Sequence, residues 1–256
     1  MLAHEILDRL NAFSGADIPD TVDTFKGGDP NKSVNRIAFC FTATPAVIRA
    51  AHEWGADLLI THEPTYHDHF DRYSENAVSK AKKDLIESTG MAVFRWHDHA
   101  HAAVPDIIHS GFIARAELEG RYENGFFYFD TPATARQIAQ RIQNRTGIRH
   151  VRIIGCMDKP VRKAVICLGA CGDRTSDLLR DTDAELCIAG EISEWKNGCF
   201  VRDAAELGLN KSMLLLGHCA SERDGMSYLC DLCAGMFPSC ECRFFDCGEL
   251  YTYPED

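Results

Sequence analysis

Short apolar runs alternate with amphipathic stretches along the chain, and that alternation restricts the fold more than any other feature. Residues 36–43 (RIAFCFTA), 57–61 (DLLIT) and 91–96 carry almost no polar face, as strands covered on both sides do. Between them the pattern changes to a helical one. Thr44-Pro45 is an N-cap followed by proline at the first helical position, and that helix runs to about Gly55. A second helix spans 77–88 and closes on Gly90. Strands separated by helices of this length predict an α/β fold of mixed sheets covered by helices.

The rest of the chain keeps the pattern. Leu2, Ile6, Leu7, Leu10 and Phe13 fall on one face of an opening helix. A helix is expected over 104–118 and a strand over 126–129. Thr131-Pro132 reads as the cap of a helix that reaches Thr146. Strands follow at 150–156 and 161–170, with a turn at Asp158-Lys159-Pro160. Helices at 173–181, 193–207 and 222–233 then alternate with strands at 184–189, 212–216 and 242–246. Residues 55–63 (GADLLITHE) and 183–191 (DAELCIAGE) echo one another, each an apolar strand with a carboxylate at its end. This suggests two α/β lobes, with the crossing between them at 120–125 and a return near Met213. The first lobe then comprises 1–125 and 213–256, and the second 126–212.

Composition excludes several functions. The 256 residues carry a formal net charge of −11 and no block of Lys and Arg, which argues against a surface that tracks nucleic-acid phosphates. No apolar run approaches the roughly 18 residues of a membrane span. The first residues show no basic segment followed by an apolar one, so no signal peptide is expected and the protein is expected in the cytoplasm. There the 12 cysteines would be reduced thiols. Cys230-x-x-Cys233 with Cys240 and Cys242 has some likeness to a zinc knuckle. The first pair falls within one amphipathic helix, however, and structural thiols are the favoured reading.

Histidine placement carries the chemistry. Six of the 11 histidines fall in two short windows, His62, His67 and His69, then His97, His99 and His101. Each window follows an apolar strand, and strand carboxyl ends are where open α/β sheets gather ligands. A third strand end carries His218 and Glu222. Imidazole with carboxylate is the ligand set of Fe, Zn, Mn, Co or Ni rather than Mg or Ca. His62, Glu63, His101, His218 and Glu222 suit two ions sharing a bridging carboxylate, roughly 3.5–4 Å apart. In an extended segment His97, His99 and His101 would point one way and Asp98 the other. His97 and Asp98 read as further ligands or as groups that fix an imidazole tautomer. Alternatives stand beside this reading. A solvated loop accounts for His67 and His69, and a polar core or a metal-free catalytic site accounts for the others. His4, His52, His109 and His150 read as surface or helix-face residues.

Four motifs in order resemble the Nif-three-like dinuclear-metal proteins, the GTP cyclohydrolase 1 type 2 family. They are Thr61-His62-Glu63-Pro64, His97-Asp98-His99-Ala100-His101-Ala102-Ala103, Ile188-Ala189-Gly190-Glu191-Ile192-Ser193 and Gly217-His218-Cys219-Ala220-Ser221-Glu222-Arg223. Two positions depart from the family pattern: Glu63 replaces a histidine and His101 an aspartate. The exchange conserves the inventory of donors. The resemblance implies a two-lobed subunit with its metals in the cleft between lobes, assembled into a toroidal homohexamer. It also implies His62, Glu63, His101, His218 and Glu222 as metal ligands, His97 beside the site, and Glu191 facing the same cleft.

Two functions follow. The first is metal-assisted hydrolysis of a small heterocyclic or phosphorylated compound, with His97 or Glu191 moving protons as the catalytic residues. No Walker-type phosphate loop is present. The second is a metal-bearing regulatory or scaffold protein that docks a protein partner.

Overall fold

Residues 1–254 are described by the computed structural model. In chain order the elements are α1 (Ala3–Ser14), β1 (Phe25–Gly27), β2 (Arg36–Cys40), α2 (Pro45–Glu53), β3 (Leu58–Thr61), α3 (Ala77–Thr89), β4 (Ala92–Arg95), α4 (Asp98–Ala102) and α5 (Ile107–Arg115). Next come β5 (Gly120–Glu123), β6 (Phe126–Thr134), α6 (Ala135–Thr146), β7 (Arg152–Gly155), β8 (Pro160–Cys167), α7 (Arg174–Asp181) and β9 (Leu186–Ala189). A π-helical turn (Glu194–Gly198) leads into α8 (Cys199–Glu206), followed by β10 (Ser212–Leu215), α9 (His218–Met236) and β11 (Glu241–Phe244). No helix among the described residues is long and apolar enough to cross a membrane.

Two compact units emerge. One comprises Met1–Gly111 with the chain from Gly225 onward, the other Phe112–Asp224, so α5 and α9 each span a boundary. The sequence places the crossings at 125/126 and 212/213. In the structure residues 120–123 form a strand, β5, paired in a hairpin with β6, and β10 pairs with β9 and β7.

The first unit holds a five-stranded sheet ordered β1-β4-β3-β2-β11. Strands β11, β2, β3 and β4 run parallel and only β1 is antiparallel. Their apolar runs have no polar face because both faces of the sheet are covered. Ala38, Cys40, Leu59 and Val93 form one core cluster with Val47, Ile48 and Ala51 of α2 and Ile86 of α3. Each fully buried aliphatic side chain of this kind contributes about 1.5–3 kcal/mol. The start of α2 follows its sequence signal, and α3 gains an N-cap, Asn76, that the sequence reading did not single out. The Thr44 side chain accepts from the Val47 N–H, and Asn76 accepts from Val78 and Ser79.

The second unit holds a six-stranded sheet ordered β5-β6-β8-β9-β10-β7, with β8, β9 and β10 parallel. Its core cluster joins Val165, Cys167, Cys187, Ala189, Met213 and Leu215 to Leu179 of α7 and Val201 of α8. The echoing segments 55–63 and 183–191 both contain an interior parallel strand, β3 and β9.

Local differences from the sequence reading have local causes. Thr131-Pro132 does not start a helix, because β6 continues past an irregularity and pairs Ala133 with Val161 and Thr134 with Pro160. Thr134 is the actual N-cap, in a capping box with Gln137. Helix α9 starts at His218, four residues before Glu222 where the sequence places it. Phe13 lies on the half-exposed flank of α1 rather than in its core face. All twelve cysteines are free thiols.

Gly28 tests the tightness of the β1–β4 edge. Its φ is +77°, and a Cβ there would lie 2.2 Å from the Met91 carbonyl oxygen and 2.6 Å from the Ala92 Cα. Gly90, at the end of α3, has a φ of +63° but nothing within 4 Å of a Cβ. Gly90→Ala is therefore expected to cost only the left-handed backbone penalty, about 1 kcal/mol. Gly28→Ala adds a backbone collision and is expected to cost at least about 3 kcal/mol. Urea unfolding of the two variants checks this; equal losses would contradict the packing described.

Candidate metal centre

Strands β3 and β4 end level with each other, Thr61 opposite Arg95, so the residues after each strand emerge together. His62 follows β3 and is fully buried. Its Nδ1 lies 3.3 Å from the Trp96 carbonyl oxygen, and its ring stacks on Phe41 with centroids 5.9 Å apart. Arg95 donates to the His62 carbonyl and fixes the backbone from beneath.

The segment after β4 is not extended. It forms the single-turn helix α4, which turns the expected alternation of side chains into a helical one. His97 and His101 therefore share a face, and His99 points away from them, buried against Asp23. The cause lies far back in the chain. Asp23 Oδ1 accepts the N–H groups of His97 (2.6 Å) and Asp98 (3.0 Å), and Oδ2 accepts the N–H of His99 (2.9 Å). A carboxylate thus satisfies the donors that a helix start leaves over. Asp98 answers by accepting the Thr21 hydroxyl and the Val22 N–H.

Three imidazoles converge as a result. Ring centroids are 4.5 Å apart for His62 and His97, 5.1 Å for His62 and His101, and 5.1 Å for His97 and His101. One nitrogen from each lies within 4.8 Å of the other two. Each Nδ1 faces an oxygen: Trp96 carbonyl for His62 (3.3 Å), Asp98 Oδ1 for His97 (2.9 Å) and Asp106 Oδ2 for His101 (3.1 Å). This is the support that orients metal-binding histidines, because an N–H held at Nδ1 makes Nε2 the lone-pair atom. Among the described residues, His62, His97 and His101 fit a metal ion by geometry and by donor type.

Electrostatics agree. Burial drives the His62 imidazole well below the ordinary histidine range, and the neighbouring His97 and His101 push the same way. Burial also lowers His97, against the opposing hydrogen bond to Asp98. Burial alone would raise Asp106, but its bond to His101 and the charges of His109 and His101 bring it below the usual carboxylate range. Neutral imidazoles beside ionised carboxylates are the protonation states that a cation requires.

Glu63 is half-buried next to His62, and its charge acts on His97. His67 and His69 are exposed, and the His69 ring comes to 6.0 Å from His97. His109 is not a bare helix-face residue: its Nδ1 lies 3.6 Å from Asp106, whose Oδ1 also caps α5 through the His109 N–H. Asp23 and Asp106 were invisible as site residues. Asp106 falls inside the stretch that the sequence reads as a helix over 104–118, while Asp23 stands in an unremarkable loop.

The second unit builds its own donor set. Gly190 N–H bonds the Cys167 carbonyl, Gly217 N–H the Gly190 carbonyl, and Gly169 N–H the Ser221 hydroxyl, which laces the ends of β8, β9 and β10 to the start of α9. His218 and Glu222 lie one helical turn apart, with Nε2 and Oε2 separated by 3.2 Å. Glu191 Oε1 is 3.5 Å from His218 Nδ1. Glu222 is buried against Gly169, where a Cβ would come 2.3 Å from Oε1.

The terminal thiols are mostly buried. Cys230 and Cys233 are buried in α9, burial pushes Cys230 up to about 12 and Cys242 up to about 11, and Cys233 moves the same way. Among the described residues, no cysteine joins the groups of donors that could hold a metal ion.

Comparison with known proteins agrees with this architecture. A "GTP cyclohydrolase 1 type 2 homolog" of Halobacterium salinarum is 27% identical over 245 residues, covering 87% of this chain and 88% of that protein. One of Clostridium perfringens is 23% identical over 214 residues, 76% of each. The crystal structure of a Bacillus cereus protein related to NIF3 superposes with a TM-score of 0.75 at 13% identity, over 99% of this chain and 98% of that one. The profile of the family described as Duf34/NIF3 (NGG1p interacting factor 3) matches residues 1–247, and the chain belongs to that family.

Proposed function

We propose that the protein is a dinuclear-metal hydrolase acting on a small nucleotide-like or phosphorylated compound. The observation that carries the reading is the convergence of His62, His97 and His101 with each Nδ1 held by an oxygen. The name shared by the two relatives, GTP cyclohydrolase 1 type 2 homolog, points to the same class of substrate. His62, Glu63 and His101 with His218 and Glu222 would hold two divalent ions from the series Fe, Zn, Mn, Co and Ni. Bound there, a metal pair supplies an activated water at neutral pH. Glu191, beside His218, is assigned to proton movement, and His97, paired with Asp98, stands beside His62 and His101 as a further ligand or a second proton carrier. The family resemblance also supports assembly as a homohexamer, which light scattering on the purified protein tests directly.

Elemental analysis after metal loading is expected to find about two ions per subunit, falling to one or none in His101→Ala and His218→Ala. No bound transition metal in the wild type would refute the reading. Turnover is then measured on the loaded protein against nucleotides and phosphoesters; Glu222→Gln is expected to abolish it while leaving the assembly intact. Metal binding without turnover, together with specific capture of a protein, would favour the scaffold role instead.

The carboxylates behind the histidines give a graded test. Asp106→Asn keeps the α5 cap through its carbonyl oxygen but weakens the hold on His101 Nδ1. Affinity for Co(II) or Zn(II), followed by chelator competition, is expected to fall about ten- to a hundredfold with the fold preserved. Unchanged affinity would show that His101 does not ligate through Nε2.

A further inference from the structure

Two lysines are buried in the first unit, and they are treated very differently. Lys26 donates to the Val22 carbonyl (3.2 Å) and the Thr24 hydroxyl (2.9 Å) and pairs with Asp71 at 3.5 Å. Lys82 is 4% exposed and has no hydrogen bond or ion pair among the described residues. It occupies the core-facing stripe of α3 with Ser79 and Ile86. Asp71 attracts it at a distance, but that carboxylate already accepts the Tyr66 N–H at 2.6 Å and faces Lys26. Burial pushes the Lys82 ammonium below its ordinary range. A buried cation without a partner is costly and is rare unless something compensates it.

Lys82 lines a cavity of about 500 Å³ between α2 and α3. Pro45, Val78 and Leu85 supply apolar wall, while Thr44 and Arg49 add a hydroxyl and a second cation. No acidic residue is among the residues that line it. The volume falls in the range of small-molecule sites, which are mostly apolar with a few placed polar groups. The first turn of α2 adds the positive end of its dipole beside Thr44 and Pro45. We propose that this cavity is a binding site for a small organic carboxylate with an apolar body, its carboxylate meeting Lys82 and Arg49. The site shares no residue with His62, His97 and His101, though His67 of the first histidine window also lines it, and it does not depend on the hydrolase reading.

The test uses 3-phenylpropanoate and its uncharged amide, 3-phenylpropanamide, on the full chain by calorimetry. The acid is expected to bind with a submillimolar Kd and the amide at least about tenfold more weakly. Lys82→Met, which replaces a buried cation by an apolar chain of similar shape, is expected to weaken the acid by at least about tenfold. A second readout needs no variant. Reductive methylation of wild-type lysines, mapped by mass spectrometry, is expected to show Lys82 protected by the acid and not by the amide. Absence of acid binding, equal affinity for acid and amide, full affinity in Lys82→Met, or no selective protection of Lys82 would each overturn the proposal. If Lys82→Met does not fold, the wild-type affinities and the protection pattern decide it.

Discussion

The carboxylate of Asp23 receives three consecutive backbone N–H groups and one imidazole, and the arrangement of the first donor set follows from that. A five-residue helix has no independent stability, since nucleation fixes several residues for a single hydrogen bond. Here the nucleus is supplied from outside, by a buried anion at the helix start. Bonds to a charged acceptor contribute more than neutral ones, about 1.5–3 kcal/mol each. Once α4 is wound, His97 and His101 lie on one face and meet His62, while His99 is spent on Asp23. An extended segment of the same sequence would have shown a different trio of side chains. The geometry of the site is thus a consequence of where one aspartate lies in an upstream loop.

The same logic operates one step further out. Asp98 and Asp106 each do two jobs, one structural and one on an imidazole. Asp98 ties residues 21–22 to α4 and holds His97; Asp106 caps α5 and holds His101. Rigidity and ring orientation are therefore coupled, because the group that orients each imidazole is immobilised by the backbone it caps. In the second unit glycines take this role. Gly169 and Gly190 leave room for close approach at the strand ends, so that Glu222 lies against the Gly169 main chain while its carboxylate also faces His218. A side chain at either position would displace the carboxylate or the Ser221 hydroxyl.

Much of this was legible in the sequence, for identifiable reasons. Strands β2, β3, β4, β9 and β10 appear as apolar runs because both faces are covered, and the Thr44 cap of α2 and the Gly90 end of α3 are local signals read by neighbouring residues. The histidine windows stand out because each follows directly on an apolar strand. What was hidden depends on partners distant in sequence. The helical form of 98–102 rests on Asp23, some seventy residues upstream. The continuation of β6 through Pro132 rests on pairing with β8, which overrode a strong local cap signal. Short edge strands such as β1 and β5 carry too few residues to show a period.

Lys82 shows how a lone residue type can disagree with its position. By spacing it belongs to the stripe of α3 that packs on the sheet, where an aliphatic residue would satisfy every local rule. A sequence consistent at all levels would not place an unpartnered ammonium there, and natural chains depart from such consistency mainly where function requires it. Lys26, whose side chain is only 4% exposed in the same unit, shows that this chain does supply partners to a structural lysine. The contrast between the two is what separates a packed cation from one that faces a cavity and waits for an anion.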